Sequence, residues 1–163
     1  MSDLSDKKVE FPAFFQDEYG LSNAEEIATL NYGYALLTIA GADGEVSQAE
    51  MNWLINHQLS LNVPEHIIEA YKTFDYKNGN LEELIPDINR ADVPFNVARS
   101  LIYHAIKMSK ADLEFAYEEQ KAVIKAAKLL GVSDDIRLAL NSLVDTEESV
   151  NRTRKALMET NKI

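Results

Sequence analysis

The chain has 163 residues, contains no cysteine and carries a formal net charge of −11. Its length and its hydrophobic content of 46% suit one domain with a sizeable core that needs no disulfide. The lack of cysteine excludes thiolate zinc sites and cysteine nucleophiles, and the negative charge disfavours nucleic acid and anionic membranes as partners.

The chain begins with a polar segment of mixed charge, residues 1–10, which we expect to be a flexible leader. This segment lacks the apolar run of a secretion signal, and no run of about eighteen apolar residues could span a bilayer. We therefore expect a soluble, cytoplasmic protein whose folded domain covers residues 11–163.

Helical patterns fill almost all of this domain. Apolar residues recur at steps of three and four from Ile27 to Leu37, and Ser22 followed by Glu25 is a capping-box pattern that starts this helix at about Asn23. Later helix starts are predicted at five places: Ser47 with Glu50, Pro64, Asn80 with Glu83, Asp92 with Pro94, and Ser133. We count seven helices and predict an all-α fold, because no segment has the alternation of a strand.

An internal repeat divides the domain into two similar halves. Residues 42–46 (ADGEV) match residues 111–115 (ADLEF), and the same offset of 69 residues carries Tyr34 onto Tyr103 and Glu50 onto Glu119. We interpret this match as a duplication, with repeat one at about 23–75 and repeat two at about 92–144. Two such units are expected to pack face to face.

The segment GADGEVSQAE, residues 41–50, resembles the second half of a calcium loop. Gly44 takes the sixth position of such a loop and Glu50 the twelfth, but the first and third positions lack side-chain oxygens. Asp43, the carbonyl of Glu45 and a bidentate Glu50 would supply about four oxygens, fewer than the six to eight that calcium prefers. The segment is therefore not an EF-hand.

Two interpretations of this segment remain open. In one it is only a helix start, where Ser47 caps the helix and Glu50 reaches back to the Ser47 amide. In the other its carboxylates are cation ligands, which the second unit favours because acids recur there although Ala116 replaces the capping serine. Leu113 argues the other way, since it replaces the glycine of the turn. The candidate ligands are Asp43, Glu45, Glu50, Asp112, Glu114 and Glu119.

The sequence offers little that is typical of catalysis. His57, His66 and His104 are scattered and belong to no metal-binding helix motif, and there is neither a phosphate-binding glycine loop nor a nucleophile elbow. Isolated histidines on helices are usually structural, and His104 deserves inspection because it follows Tyr103 and precedes Asp112 by about two turns. We predict that the protein is not an enzyme.

The segment YALLTIAGADGEVSQAEMNWL, residues 34–54, with its weaker echo from Tyr103 onward, resembles the TerB family of tellurite-resistance proteins. The resemblance covers roughly residues 23–144. It implies an all-α domain of about seven helices in two similar halves, a role in the response to tellurite and other chemical stress, and an acidic metal-binding site. That site would use the six carboxylates given above, and Leu113 departs from the family pattern in the second half.

From these observations we expect a non-enzymatic domain that binds a divalent cation, calcium or magnesium in preference to zinc, within a tellurite stress-response system. The alternative is an acidic protein-interaction module without bound metal, which docks on the basic surface of a partner protein. In either case we expect a monomer or a homodimer.

Overall fold

The structure, a computed structural model, describes residues 7–88, 95–112 and 117–159. These residues form eight α-helices and one small antiparallel sheet, which confirms the all-α class. The helices are α1 (Ala13–Tyr19), α2 (Glu26–Ala40), α3 (Gln48–Ser60), α4 (Glu65–Thr73), α5 (Leu81–Ile88), α6 (Val97–Lys110), α7 (Tyr117–Leu129) and α8 (Asp134–Glu159). In these ranges no helix combines the length and the apolar character needed to cross a membrane.

The small sheet overturns two predictions about the N-terminal region. Strand β1 (Lys8–Glu10) pairs with strand β2 (Asn23–Glu25), and Val9 lies buried in the core. Residues 8–10 are therefore not part of a flexible leader, whereas residues 1–6 lie outside the described residues. Helix α2 begins at Glu26 rather than near Asn23, because the backbone of Asn23–Glu25 is extended and bonds to β1 instead.

Helix α2 lies at the centre of the domain and contacts α3, α4, α5, α6 and α7. Ala35, Leu36 and Leu37 have no exposed surface, while Ile27 and Leu30 of the predicted apolar stripe are only half-buried. A helix that is surrounded on all sides needs apolar or small residues around its whole circumference, so its sequence shows no single apolar face. The stripe predicted the helix but not which of its residues form the core.

A buried tyrosine of α4 fixes the position of α2. The ring of Tyr71 packs on Gly33, where an added Cβ would lie 2.2 Å from the ring atom Cε1. The Tyr71 hydroxyl donates to the carbonyl oxygen of Thr29 at 2.8 Å and accepts a hydrogen bond from the Gln58 side chain at 3.2 Å. One side chain therefore joins α2, α3 and α4, and the glycine at position 33 leaves the space for its ring against α2.

Most of the predicted helix starts agree with the structure. Ser47 caps α3, Pro64 is the residue before α4, and the Ser133 hydroxyl accepts from a backbone amide of α8 at 3.4 Å. Asn80 caps α5, although its side chain accepts from the amide of residue 82. The start predicted at residues 92 and 94 lies outside the described residues, and α6 is capped by Asn96.

The ends of α3 and α7 have the same geometry at the offset found in the sequence. Asn62 (φ 67°) and Gly131 (φ 72°) both adopt the left-handed conformation just beyond their helices. The next amide closes each turn, from Val63 to the Gln58 oxygen at 3.1 Å and from Val132 to the Ala127 oxygen at 2.8 Å. This likeness concerns two turns only, and the duplication of the whole unit stays a prediction.

The contact between Gly33 and Tyr71 yields a stability prediction. Glycine to alanine in a helix usually stabilises by roughly 0.5–1 kcal/mol, but here the new methyl group overlaps a ring that cannot move without breaking two buried hydrogen bonds. We expect Gly33→Ala to lower the free energy of unfolding by about 1–3 kcal/mol in urea denaturation. In a Tyr71→Leu background the same change should cost less, and an equal cost in both backgrounds would contradict the overlap.

Candidate functional site

The acidic segment forms a tight connection between α2 and α3. Helix α2 ends at Ala40 and passes into a 3-10 turn, Gly41–Asp43. Gly44 follows with a φ of 131°, a conformation that L side chains rarely adopt, and its amide bonds to the Gly41 carbonyl at 3.0 Å. The prediction that this glycine supplies a turn before α3 is therefore consistent with its backbone.

Glu50 forms the capping box that the helix-start interpretation predicts. Its amide donates to the Ser47 hydroxyl at 3.1 Å, and its Oε1 atom accepts from the Ser47 amide at 3.0 Å. The side chain is also almost fully buried, with 1% of its surface exposed. A capping glutamate usually lies at the surface, so the capping role explains the orientation of Glu50 but not its burial.

Tyr76 holds the acidic turn against the rest of the domain. It belongs to a second 3-10 turn, Tyr76–Asn78, and its ring packs on Gly41, where an added Cβ would lie 2.3 Å from Cδ2. The Val46 amide donates to the Tyr76 hydroxyl at 3.3 Å. In the sequence, the glycine at the end of α2 was the available signal for this contact.

The remaining acidic candidates are not seen to converge. Glu45 is exposed, and Asp112 is half-buried just beyond the end of α6. Glu114 and the side chains of Asp43 and Glu119 lie outside the described residues. Over the described part of the chain, no three His, Asp or Glu side chains are placed to hold a metal ion. A single metal site that uses all six carboxylates thus stays a prediction.

The first acidic turn does lie beside the second half of the chain. The turn Gly41–Asp43 packs against α7, which begins 69 residues after α3 and occupies the equivalent place in the second unit. This packing places the first candidate segment next to the helix that carries Glu119. It is compatible with a site formed between the halves, although the ligand geometry is not described.

The three histidines have three different environments. His66 is half-exposed and its Nε2 lies 2.9 Å from a Glu26 carboxylate oxygen. His57 stacks on Trp53 with a ring separation of 4.8 Å, and burial followed by the charge of Lys107 lowers the pKa of His57 to about 4. Both rings belong to α3, at the spacing of one helical turn.

His104, which the sequence marked for inspection, lies in the interior of the domain. Only 2% of its surface is exposed, and its Nδ1 lies 2.6 Å from the Tyr32 hydroxyl oxygen and 3.4 Å from that of Ser100. Burial, then the nearby His57 and Lys107, lower the pKa of His104 well below its ordinary value. It has no contact with the acidic turn among these bonds and belongs to a different part of the molecule.

Comparison with known proteins supports the helical architecture, and the region matched by a family model contains the acidic turn. The family model described as "Tellurite resistance protein TerB" matches residues 34–141, about two thirds of the chain. The chain belongs to the TerB family. This domain is also similar to the crystal structure of a tellurite resistance protein from Nostoc punctiforme PCC 73102, with 27% identity and a TM-score of 0.78 over 91% of this chain and 92% of that one. No match was found among curated proteins.

Membership of TerB confirms the family resemblance drawn from residues 34–54 and supports a tellurite-related helical domain. The matched region contains the acidic turn, α3 and His104, whereas β1, α1 and β2 precede it. The structural similarity extends over most of both chains.

The buried histidines make this TerB domain sensitive to acid. An unfolded histidine gains a proton below a pH of about 6.5, whereas folded His57 stays neutral until about pH 4, so acid favours the unfolded state across this window. Lowering the pH from 7 to 5 should therefore remove about 2 kcal/mol of stability through His57 alone. Urea denaturation at the two pH values measures this loss.

The His57→Phe variant keeps an aromatic ring on Trp53 and should lose less stability between these pH values than the parent protein. His66→Gln serves as the control, because it changes a half-exposed histidine and leaves both buried rings in place. An unchanged acid sensitivity in His57→Phe would refute the assignment to His57.

Proposed function

We propose that this TerB domain is a non-enzymatic divalent-cation-binding protein of a tellurite and chemical stress-response system. The acidic segment of residues 43–50 would supply the ligands, with Asp43, the carbonyl of Glu45 and Glu50 as the central set. The observation that supports this proposal most directly is the burial of the Glu50 carboxylate beside a glycine turn.

Burial of a carboxylate needs compensation, because transfer of the charge out of water is costly unless hydrogen bonds or an opposite charge replace the lost hydration. The capping box supplies part of that compensation through the Ser47 amide. A bound cation would supply a positive charge at the same place. The contact of Tyr76 with the turn keeps the segment in one conformation, which reduces the entropy lost when an ion binds.

The chemistry of the proposed ligands favours calcium or magnesium over zinc. All the donors in the segment are carboxylate or carbonyl oxygens, which suit hard cations, and the chain contains no cysteine. The three donors of this segment do not complete a coordination shell. Water or the acids of the second unit, Asp112, Glu114 and Glu119, would provide the remaining ligands.

The second candidate function is docking of the acidic surface on a basic partner protein without any ion. The net charge of −11 supports it, because such a charge steers basic partners toward the domain. The two functions differ in their response to conditions. Docking by charge is weakened by salt and ignores a chelator, whereas cation binding is abolished by a chelator.

The Glu50→Gln variant separates the ligand role from the capping role. Glutamine at this position of a capping box still accepts a hydrogen bond from the Ser47 amide, so the variant removes the charge and retains the cap. We expect a calcium or magnesium concentration of about 100 Kd to raise the thermal midpoint of the metal-stripped parent by roughly 5–10 °C. Glu50→Gln should show little or no rise.

Two controls complete this experiment. Glu69→Gln makes the same charge change at an exposed position of α4 and should keep the full response to the ion. Ser47→Ala removes the cap and keeps the carboxylate, so the protein should be less stable but still stabilised by the ion. If no ion shifts the midpoint of the parent protein, the segment is a capped helix start and partner docking becomes the better explanation.

A further inference from the structure

A cavity of about 80 Å³ lies between the N-terminal elements and the helices α2, α3 and α6. Its lining includes Phe11 and Phe15 from the N-terminal elements, together with Tyr32 of α2, His57 of α3 and His104 of α6. The half-buried residues Leu21 and Phe95 line it as well. None of the six acidic candidates is among the described residues that line it, so the cavity is distinct from the acidic turn.

Three buried polar atoms of this lining have no hydrogen-bond partner among the described residues: Glu25 Oε2, His57 Nδ1 and His104 Nε2. Buried polar atoms in folded proteins nearly always have a partner, and each exception calls for an explanation. Three exceptions on the lining of one cavity indicate that a molecule in the cavity supplies the missing bonds.

Each of the two imidazoles has a buried nitrogen that an occupant of the cavity could bond to. Burial keeps both rings neutral, so each has one donor and one acceptor nitrogen. His104 uses Nδ1 for its bond to Tyr32, which leaves Nε2 for an occupant of the cavity. The rings of His57 and His104 are only 4.7 Å apart between centroids. A single hydroxyl group can accept from one of these nitrogens and donate to the other when one of them carries a proton and the other does not.

Glu25 determines the charge of the occupant. Among the described residues that line the cavity, it is the single Asp, Glu, Lys or Arg side chain, and it is negative. A cationic group therefore meets an unpartnered carboxylate oxygen, and the faces of nearby phenylalanine rings are attractive to a cation as well. Among the described residues of the lining, an anion such as an oxyanion would meet no Lys or Arg side chain.

The rest of the lining limits the polarity and the size of the occupant. It consists mainly of apolar side chains, namely Phe11, Phe15, Leu21, Ala24, Ala28, Leu61, Ile88, Phe95 and Val97. A space of this size takes roughly five to eight atoms of water size. A metal ion does not fit these observations, because the described His, Asp and Glu side chains provide no group of three that could hold one.

We propose that this cavity binds a small primary amine with a short apolar body, whose ammonium group pairs with Glu25 and whose hydroxyl group, where it has one, bonds to His57 and His104. The site is independent of the cation-binding function proposed above. Residues of helix α1 and strand β2 belong to its lining, and this gives both elements a role beyond packing.

Three probes of seven non-hydrogen atoms each test the proposal by calorimetry on the full chain: 5-aminopentan-1-ol, hexylamine and hexan-1-ol. We expect 5-aminopentan-1-ol to bind most tightly and hexan-1-ol to bind at least about tenfold more weakly than hexylamine, since hexan-1-ol lacks the charge-assisted bond. The Glu25→Gln variant should lose this preference for amines. Glu10→Gln makes the same charge change at an exposed position of β1 and should keep it.

A second measurement, by NMR, tests the role of the two imidazoles. Binding of 5-aminopentan-1-ol should shift the ¹⁵N resonances of His57 and His104 and leave those of His66 unchanged, whereas hexylamine should shift them less. This measurement needs no variant, so it tests the proposal even if a His104 substitution does not fold. Equal affinity for hexylamine and hexan-1-ol would overturn the role of Glu25. Absence of binding by all three probes would overturn the proposal.

Discussion

The fold depends on the close approach of the segment 71–79 to the central helix α2. Tyr71 packs on Gly33, Tyr76 packs on Gly41, and Gly79 lies against Thr38, so an added methyl group at any of these glycines would overlap a neighbour. Tyr71 also ties α2 to α3 through its hydroxyl, where the carbonyl of Thr29 and the side chain of Gln58 meet. These contacts leave α2 no freedom to slide or rotate. The elements that surround it are therefore positioned relative to one fixed axis.

Both proposed sites use residues of α2 and α3, and they lie at opposite ends of these two helices. The N-terminal part of α2, with Tyr32, lines the cavity, and its C-terminal end leads into the acidic turn. Helix α3 carries Glu50 in its first turn and His57 seven residues later, about 10 Å along the axis. The two sites use different residues and different chemistry, oxygen ligands in one and neutral imidazoles in the other. Helices α2 and α3 both connect the two sites.

Polar contacts attach helix α8 to helix α6. Lys107, which takes part in these contacts, also affects the buried histidines through its charge. Lys107 of α6 donates to Glu147 of α8 at 3.1 Å and to the Tyr103 hydroxyl at 3.2 Å, and the Tyr103 hydroxyl itself donates to Glu147. The same lysine charge contributes to the low pKa of His57 and His104. The attachment of α8 and the neutral state of the imidazoles are therefore linked through one side chain. Past Val144, the last buried residue of α8, most of the described helix is exposed.

The sequence alone determined the helical class, the family, most helix starts and the capping box of Ser47 and Glu50, because these features depend on residues close together in the chain. It failed where distant segments compete for the same backbone: residues 23–25 look like a helix start but pair with β1. It identified His104 as worth inspection but missed Glu25 and His57 as its companions, since the three belong to separate elements and share no spacing. Only the tertiary structure brings these side chains to one cavity and buries Glu50. Burial and proximity in space are properties of packing, and no local pattern encodes them.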